Sequence, residues 1–225
     1  MPQSERSAAT SASKMVVMCD FDGTITIQDT SEYILERHAR GDWKKLDSML
    51  DRGEISIDEC MNRQFAMVDL SEEAIISELD QIISIRPGFP ELVHDCNEKG
   101  VEFFVVSAGL SFVIRHFIGA MRLGDKVKIV SPLARYEGRN IVFTFPPLII
   151  PGSQSFKDDL VRRFRSGGMK VAFIGDGPPD VEAARMSDLR FAVKGRRLEA
   201  ALKQEGLAMS SIDDFHQVRQ ALNGL

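Results

Sequence analysis

Cysteine is scarce in this chain of 225 residues: there are three, at positions 19, 60 and 96, with neither a disulfide framework nor a zinc-ligand spacing. That scarcity suits a reducing compartment, and a cytoplasmic protein is the expectation. Also missing is any apolar run near the roughly 18 residues a membrane-crossing helix needs. The first fourteen residues, rich in Ser and Ala, lack the apolar stretch of a signal peptide, and residues 1–14 are expected to be a flexible tail. No dense Lys/Arg block stands alone, and 33 acidic against 28 basic residues give a net charge of −5. Nothing here asks for nucleic acid or an anionic membrane as partner. What is present is an apolar content of 44%, enough for an ordinary core. At about 150 residues per domain, the length allows one full core and a smaller second body.

Residues 15–19 read as a buried strand, and residues 20–24 as the loop leaving it. From Thr30 to Ile83 apolar positions recur at three- and four-residue spacing, and Gly41, Gly53 and Ser71 divide the stretch into four short helices. Beyond Arg86-Pro87-Gly88, strands at 101–106, 170–174 and 189–193 alternate with helices at about 89–99, 156–165 and 179–186. Strands at 127–130 and 141–145 are expected to flank a hairpin with Gly138 at its turn. The fold class is therefore α/β, a doubly wound Rossmann-like parallel sheet with a helical-bundle cap inserted after the first strand. The expected division is a core of residues 15–28 and 87–225 and a cap of residues 29–86.

Four segments, three of them at strand ends, carry complementary chemistry. In Asp20-Phe21-Asp22-Gly23-Thr24, Asp20 can attack phosphorus as a nucleophile, and Asp22 can protonate the leaving oxygen and then activate water. Gly23 lets the backbone approach a phosphate. Ser107 can donate to a phosphate oxygen, with the N–H groups of Ala108 and Gly109 pointing the same way at a helix start. Lys157 supplies a point charge. Asp176 and Asp180 offer hard oxygen donors that, with Asp20 and the carbonyl of Asp22, suit Mg²⁺. Each segment also has a plain structural reading, as turn, helix cap or surface lysine. Their joint order and chemistry favour a phosphoryl-transfer site.

With these residues in these positions, the sequence resembles the haloacid dehalogenase superfamily over about residues 15–193. The four segments occupy its four motifs in order. The helical block resembles the cap of the phosphoserine-phosphatase-like branch. Residues 19–26 and 180–192 are most similar to the methionine-salvage phosphatases that act on 2-hydroxy-3-keto-5-methylthiopentenyl-1-phosphate. The resemblance implies a Rossmann-like fold and a Mg²⁺-dependent phosphomonoesterase that works through an aspartyl-phosphate on a small phosphorylated metabolite. By the same resemblance, specificity falls to the cap. Asp29 stands where phosphoserine phosphatases carry a longer acidic residue, and Gln64, beside Arg63, where they carry Arg. Pro179 replaces an Asn of that family, and residues 146–156 lack the cysteines of the salvage enzymes. An enol-phosphate or an amino-alcohol phosphate is the expected substrate; phosphoserine, or a catalytically inactive phosphometabolite-binding protein, is the alternative. Oligomeric state is not legible.

Overall fold

In the computed structural model, residues 15–223 are described, so the expected tail over 1–14 lies outside them. Strand β1 (Met15–Cys19) runs into a wide turn at Phe21–Ile25, closed by the Thr26 N–H on the Phe21 carbonyl at 3.0 Å. Four helices follow with no strand between them: α1 (Thr30–His38), α2 (Trp43–Asp51), α3 (Ile57–Phe65) and α4 (Glu72–Ile82). Each begins at a side chain that accepts a backbone N–H of its own first turn, from Asp29, Asp42, Ser56 and Ser71. Such caps satisfy donors that the helix cannot, and each stabilises by about 0.5–2 kcal/mol. The chain then alternates through α5 (Phe89–Glu98), β2 (Glu102–Val106), α6 (Ser111–Ala120), β3 (Val127–Val130), β4 (Leu133–Glu137) and β5 (Asn140–Thr144). It ends with α7 (Phe156–Ser166), β6 (Lys170–Gly175), α8 (Val181–Met186), β7 (Leu189–Val193), α9 (Arg197–Gln204), β8 (Ser210–Ile212) and α10 (Phe215–Asn223).

The main sheet has the order β3-β2-β1-β6-β7-β8, and every ladder in it is parallel. Its central strands are apolar on both faces, as a sheet covered on both sides requires. Val17, Cys19, Phe103, Val105, Ala172 and Ile174 join the larger core with Phe89 and Phe215. Val16, Met18, Phe104, Val106, Val171 and Phe173 face the other way, onto Leu160, Val161, Ala183 and Leu198.

The hairpin differs from expectation. Strand β5 pairs antiparallel with β4, while β3 lies parallel to β2 in the main sheet. In β4 only Ala134 is fully buried, so it carries no apolar run that marks a strand. The hairpin rests on α3: the Asn62 side chain accepts from Phe143 N–H at 2.9 Å and donates to its carbonyl at 3.3 Å, and the Phe65 and Phe143 rings lie 5.2 Å apart. Where the chain leaves the sheet for the helices and returns, the two connections lie side by side. Thr26 pairs antiparallel with Ile85, and Ile27 N–H donates to the Ser84 carbonyl at 2.9 Å.

Candidate active site

Register brings distant residues together. Cys19 of β1 lies beside Ile174 of β6, so Asp20 leaves the sheet next to the loop that carries Asp176 and Asp180. Asp20 N–H donates to the Ile174 carbonyl at 2.9 Å. From the first turn of α7, the Lys157 ammonium reaches between two carboxylates, 2.8 Å from Asp20 Oδ1 and 2.7 Å from Asp180 Oδ1. The remaining Asp180 oxygen accepts the N–H groups of Asp176 (3.0 Å) and Gly177 (3.1 Å), which shapes the loop around Asp176. Thr24 Oγ1 donates to Asp176 Oδ1 at 3.1 Å. Gly23 is required twice over: its φ is 72°, and a Cβ there would stand 2.4 Å from Asp176 Oδ2.

Asp22 points towards the second motif. Its Oδ1 accepts both the N–H (2.9 Å) and the hydroxyl (2.5 Å) of Thr30, the first residue of α1. Its Oδ2 occupies the space above Gly109, where a Cβ would come within 2.3 Å. Ser107 is buried beside it and accepts Gly109 N–H at 3.0 Å. That bond departs from the expected pair of free N–H donors, because Gly109 N–H is already engaged. The helix also begins later than expected, at Ser111.

The electrostatics follow from burying this many acids around one cation. Burial, then Asp180, pushes the Asp20 carboxyl well above its usual range, against the pull of Lys157. Burial also raises Asp22, partly offset by the Thr30 bonds and by Ser107. Asp176 is pushed up to about 6 by burial and by Asp180. For Lys157, burial lowers the ammonium, but Asp180 and Asp20 outweigh it and the net direction is up. Asp20, Asp176 and Asp180 each bring a carboxylate oxygen within 4.8 Å of the others. Three carboxylates against one ammonium leave surplus negative charge among oxygen donors only. The cluster can hold a hard divalent cation. Cys19 is no rival nucleophile, since burial raises its thiol well above the usual range.

The cap residues are placed unequally. Asp29 caps α1 through Glu32 N–H at 2.8 Å, and burial followed by the Asp22 charge pushes its carboxyl up to about 8. Gln64 is buried inside the helical body, where its amide donates to Asp47 Oδ1 at 2.7 Å and to the Trp43 carbonyl at 3.3 Å. Arg63 turns outward to Glu59 at 3.0 Å. Sequence reasoning missed Thr24 and Thr30, which hold Asp176 and Asp22, and the two acids that follow Lys157. Asp158 accepts N–H groups of Ser155 (2.6 Å) and Gln154 (3.1 Å), and Asp159 those of Ile149 (2.8 Å) and Ile150 (2.6 Å). These acids anchor the loop that delivers Lys157. The visible signal was the Ser155-x-x-Asp158 capping box.

A parallel sheet with a carboxylate cluster at the ends of its strands defines a hydrolase of the haloacid dehalogenase-like class. Residues 17–185 match the family model described as haloacid dehalogenase-like hydrolase, and the chain belongs to that family. The chain is 32% identical over 214 residues to a bifunctional enzyme MtnB/MtnX of Bacillus licheniformis, an alignment covering 93% of this chain and 49% of that protein. It thus spans about half the length of that relative. It is 28% identical to a 2-hydroxy-3-keto-5-methylthiopentenyl-1-phosphate phosphatase of Brevibacillus brevis, with 93% of this chain and 95% of that one covered. Among solved structures, phosphoserine phosphatase from T. onnurineus shares the fold with a TM-score of 0.67 at 18% identity, over 95% of this chain and 96% of that one.

Proposed function

We propose that this protein is a Mg²⁺-dependent phosphomonoesterase for a small metabolite without a carboxylate, with a keto-enol phosphate of the methionine-salvage type as the leading candidate. The observation that carries the reaction is Asp20 against Lys157 at the edge of the sheet, with Asp22 held beside Ser107. In the first step an Asp20 oxygen bonds to phosphorus while the ester P–O bond breaks, and Asp22 gives its proton to the departing oxygen. Burial raises the Asp22 carboxyl, the direction that favours an acid, whereas Lys157 at 2.8 Å pulls the Asp20 carboxyl the other way, towards the nucleophile's ionised form. In the second, Asp22 takes a proton from water, whose oxygen displaces Asp20 from phosphorus and frees inorganic phosphate. Lys157 lends positive charge to the transferring group, and the Ser107 hydroxyl and Ala108 N–H donate to its oxygens. Held by Asp20, Asp176 and the Asp22 carbonyl, with Asp180 behind them, Mg²⁺ would offset the charge of nucleophile and phosphate.

The substrate reading rests on the cap. An Arg could bind a substrate carboxylate with two parallel bonds; here Gln64 serves Asp47, and Arg63 serves Glu59. Burial, then the Asp22 charge, pushes the Asp29 carboxyl up to about 8, and in its protonated form it can donate to a keto or enol oxygen. The relatives named for the enol-phosphate support the same choice. The test is kcat/KM with Mg²⁺, and with chelator, for the enol-phosphate, phosphoethanolamine and phosphoserine. The enol-phosphate should lead and chelator should abolish turnover; a clear preference for phosphoserine would overturn the substrate reading.

A further inference from the structure

Arg86 is the residue at which the helical body hands the chain back to the sheet, and it is buried. Its partners are main-chain carbonyls rather than carboxylates. Nε donates to the Thr24 carbonyl at 2.8 Å, Nη2 to the Gly23 carbonyl at 2.8 Å and Nη1 to the Asp213 carbonyl at 3.1 Å. Its own N–H donates to the Ile25 carbonyl at 2.8 Å. One planar fork therefore grips two successive peptides of the turn that carries Asp20 and Asp22, and ties them to the loop before α10.

A trans peptide points its C=O and N–H in opposite directions. Drawing the Gly23 and Thr24 carbonyls onto Arg86 turns the N–H groups of Thr24 and Ile25 to the far side. It also fixes the peptide that follows Gly23, whose left-handed φ a free loop would have no reason to keep. Burying a cation is costly unless its donors are satisfied, so the loop and the guanidinium each constrain the other. No other side chain combines the rigid fork with this reach; a Lys ammonium is a point donor.

We infer that Arg86 is a positioning residue for the Asp20–Thr24 turn, coupling the return connection of the helical body to the geometry of nucleophile and acid. The inference rests on the phosphatase reading above, and two readouts keep them separable. Arg86→Lys should lower kcat on an aryl phosphate by about 10²-fold, the scale of small misplacements in a reacting site, with KM little changed. Hydrogen exchange, followed by mass spectrometry, should speed up over residues 20–27 and stay unchanged over β2. Val218→Ala, in the α10 core and away from the site, provides a comparison matched by loss of Tm. The inference fails if Arg86→Lys costs no more kcat than that core variant, or if exchange over residues 20–27 is unaltered. If wild type hydrolyses no phosphate ester the phosphatase reading fails instead, and if Asp20→Asn keeps full turnover the nucleophile assignment fails; in either case the exchange experiment alone still decides whether Arg86 holds the turn.

Discussion

At Asp22 two hydrogen bonds from Thr30 fix one carboxylate oxygen and leave the other over Gly109. Asp22→Asn should cost about 10²–10⁴-fold in kcat, the range for lost acid/base help. The loss should shrink on a nitrophenyl phosphate, whose leaving group needs no proton; equal losses on nitrophenyl and alkyl phosphates would remove the acid role. Asp29 offers a pH test. Its carboxyl titrates at about 8, raised by burial and then by Asp22, so the protonated form dominates below that pH and is lost as pH rises through it. If it donates to a substrate oxygen, kcat/KM should fall on the alkaline side in wild type. Asp29→Asn, which keeps a donor that does not titrate, should flatten that fall. The charged side chains gathered at this edge, Asp20, Asp22, Lys157 and Asp176, were legible as a candidate set because the residue type itself announces what it can do. Thr30 and Arg86 were not, because their importance lies in backbone and carboxylate partners that only the folded chain supplies.

The four cap helices could be read from periodicity because each also carries its own start signal. Strands β4 and β8 could not: each buries a single side chain fully, Ala134 and Ile212, and short polar strands are specified by their neighbours rather than by their own pattern. Helix α9 shows an element stabilised by local charge. Glu199 lies at about 2, lowered first by Lys203, then by the Gly195 N–H and Ser211. An unfolded Glu titrates near ~4.3. Between these two values the unfolded chain binds more protons, so this carboxylate adds stability above about pH 4.3 and loses it as pH falls towards 2. Glu199→Gln should therefore lower Tm at pH 7 and leave it nearly unchanged near pH 2. A Tm difference that persists unaltered to low pH would mean that the charge is not the cause.

For the molecule as a whole, function follows from strand order. Placing β6 beside β1 sets the first and last motifs next to each other, and β2, on the other flank of β1, brings Ser107 to the same edge. This is the crevice at the carboxyl ends of parallel strands where open α/β sheets bind ligands. The helical body is tied to the sheet domain by Asp80 on His116 at 2.6 Å and Asp51 on Arg197 at 3.4 Å. The Asp51–Arg197 pair is exposed on both sides and so contributes little to holding the bodies together. The proposed chemistry turns on Asp20 carrying the phosphoryl group. Mixing enzyme with an aryl phosphate and Mg²⁺, quenching in acid within one turnover, reducing with borohydride and mapping the product by mass spectrometry tests it directly. The label should fall on Asp20 and vanish in Asp20→Asn, which should release no phosphate. Phosphate release by Asp20→Asn at the wild-type rate, with no modification at position 20, would contradict it.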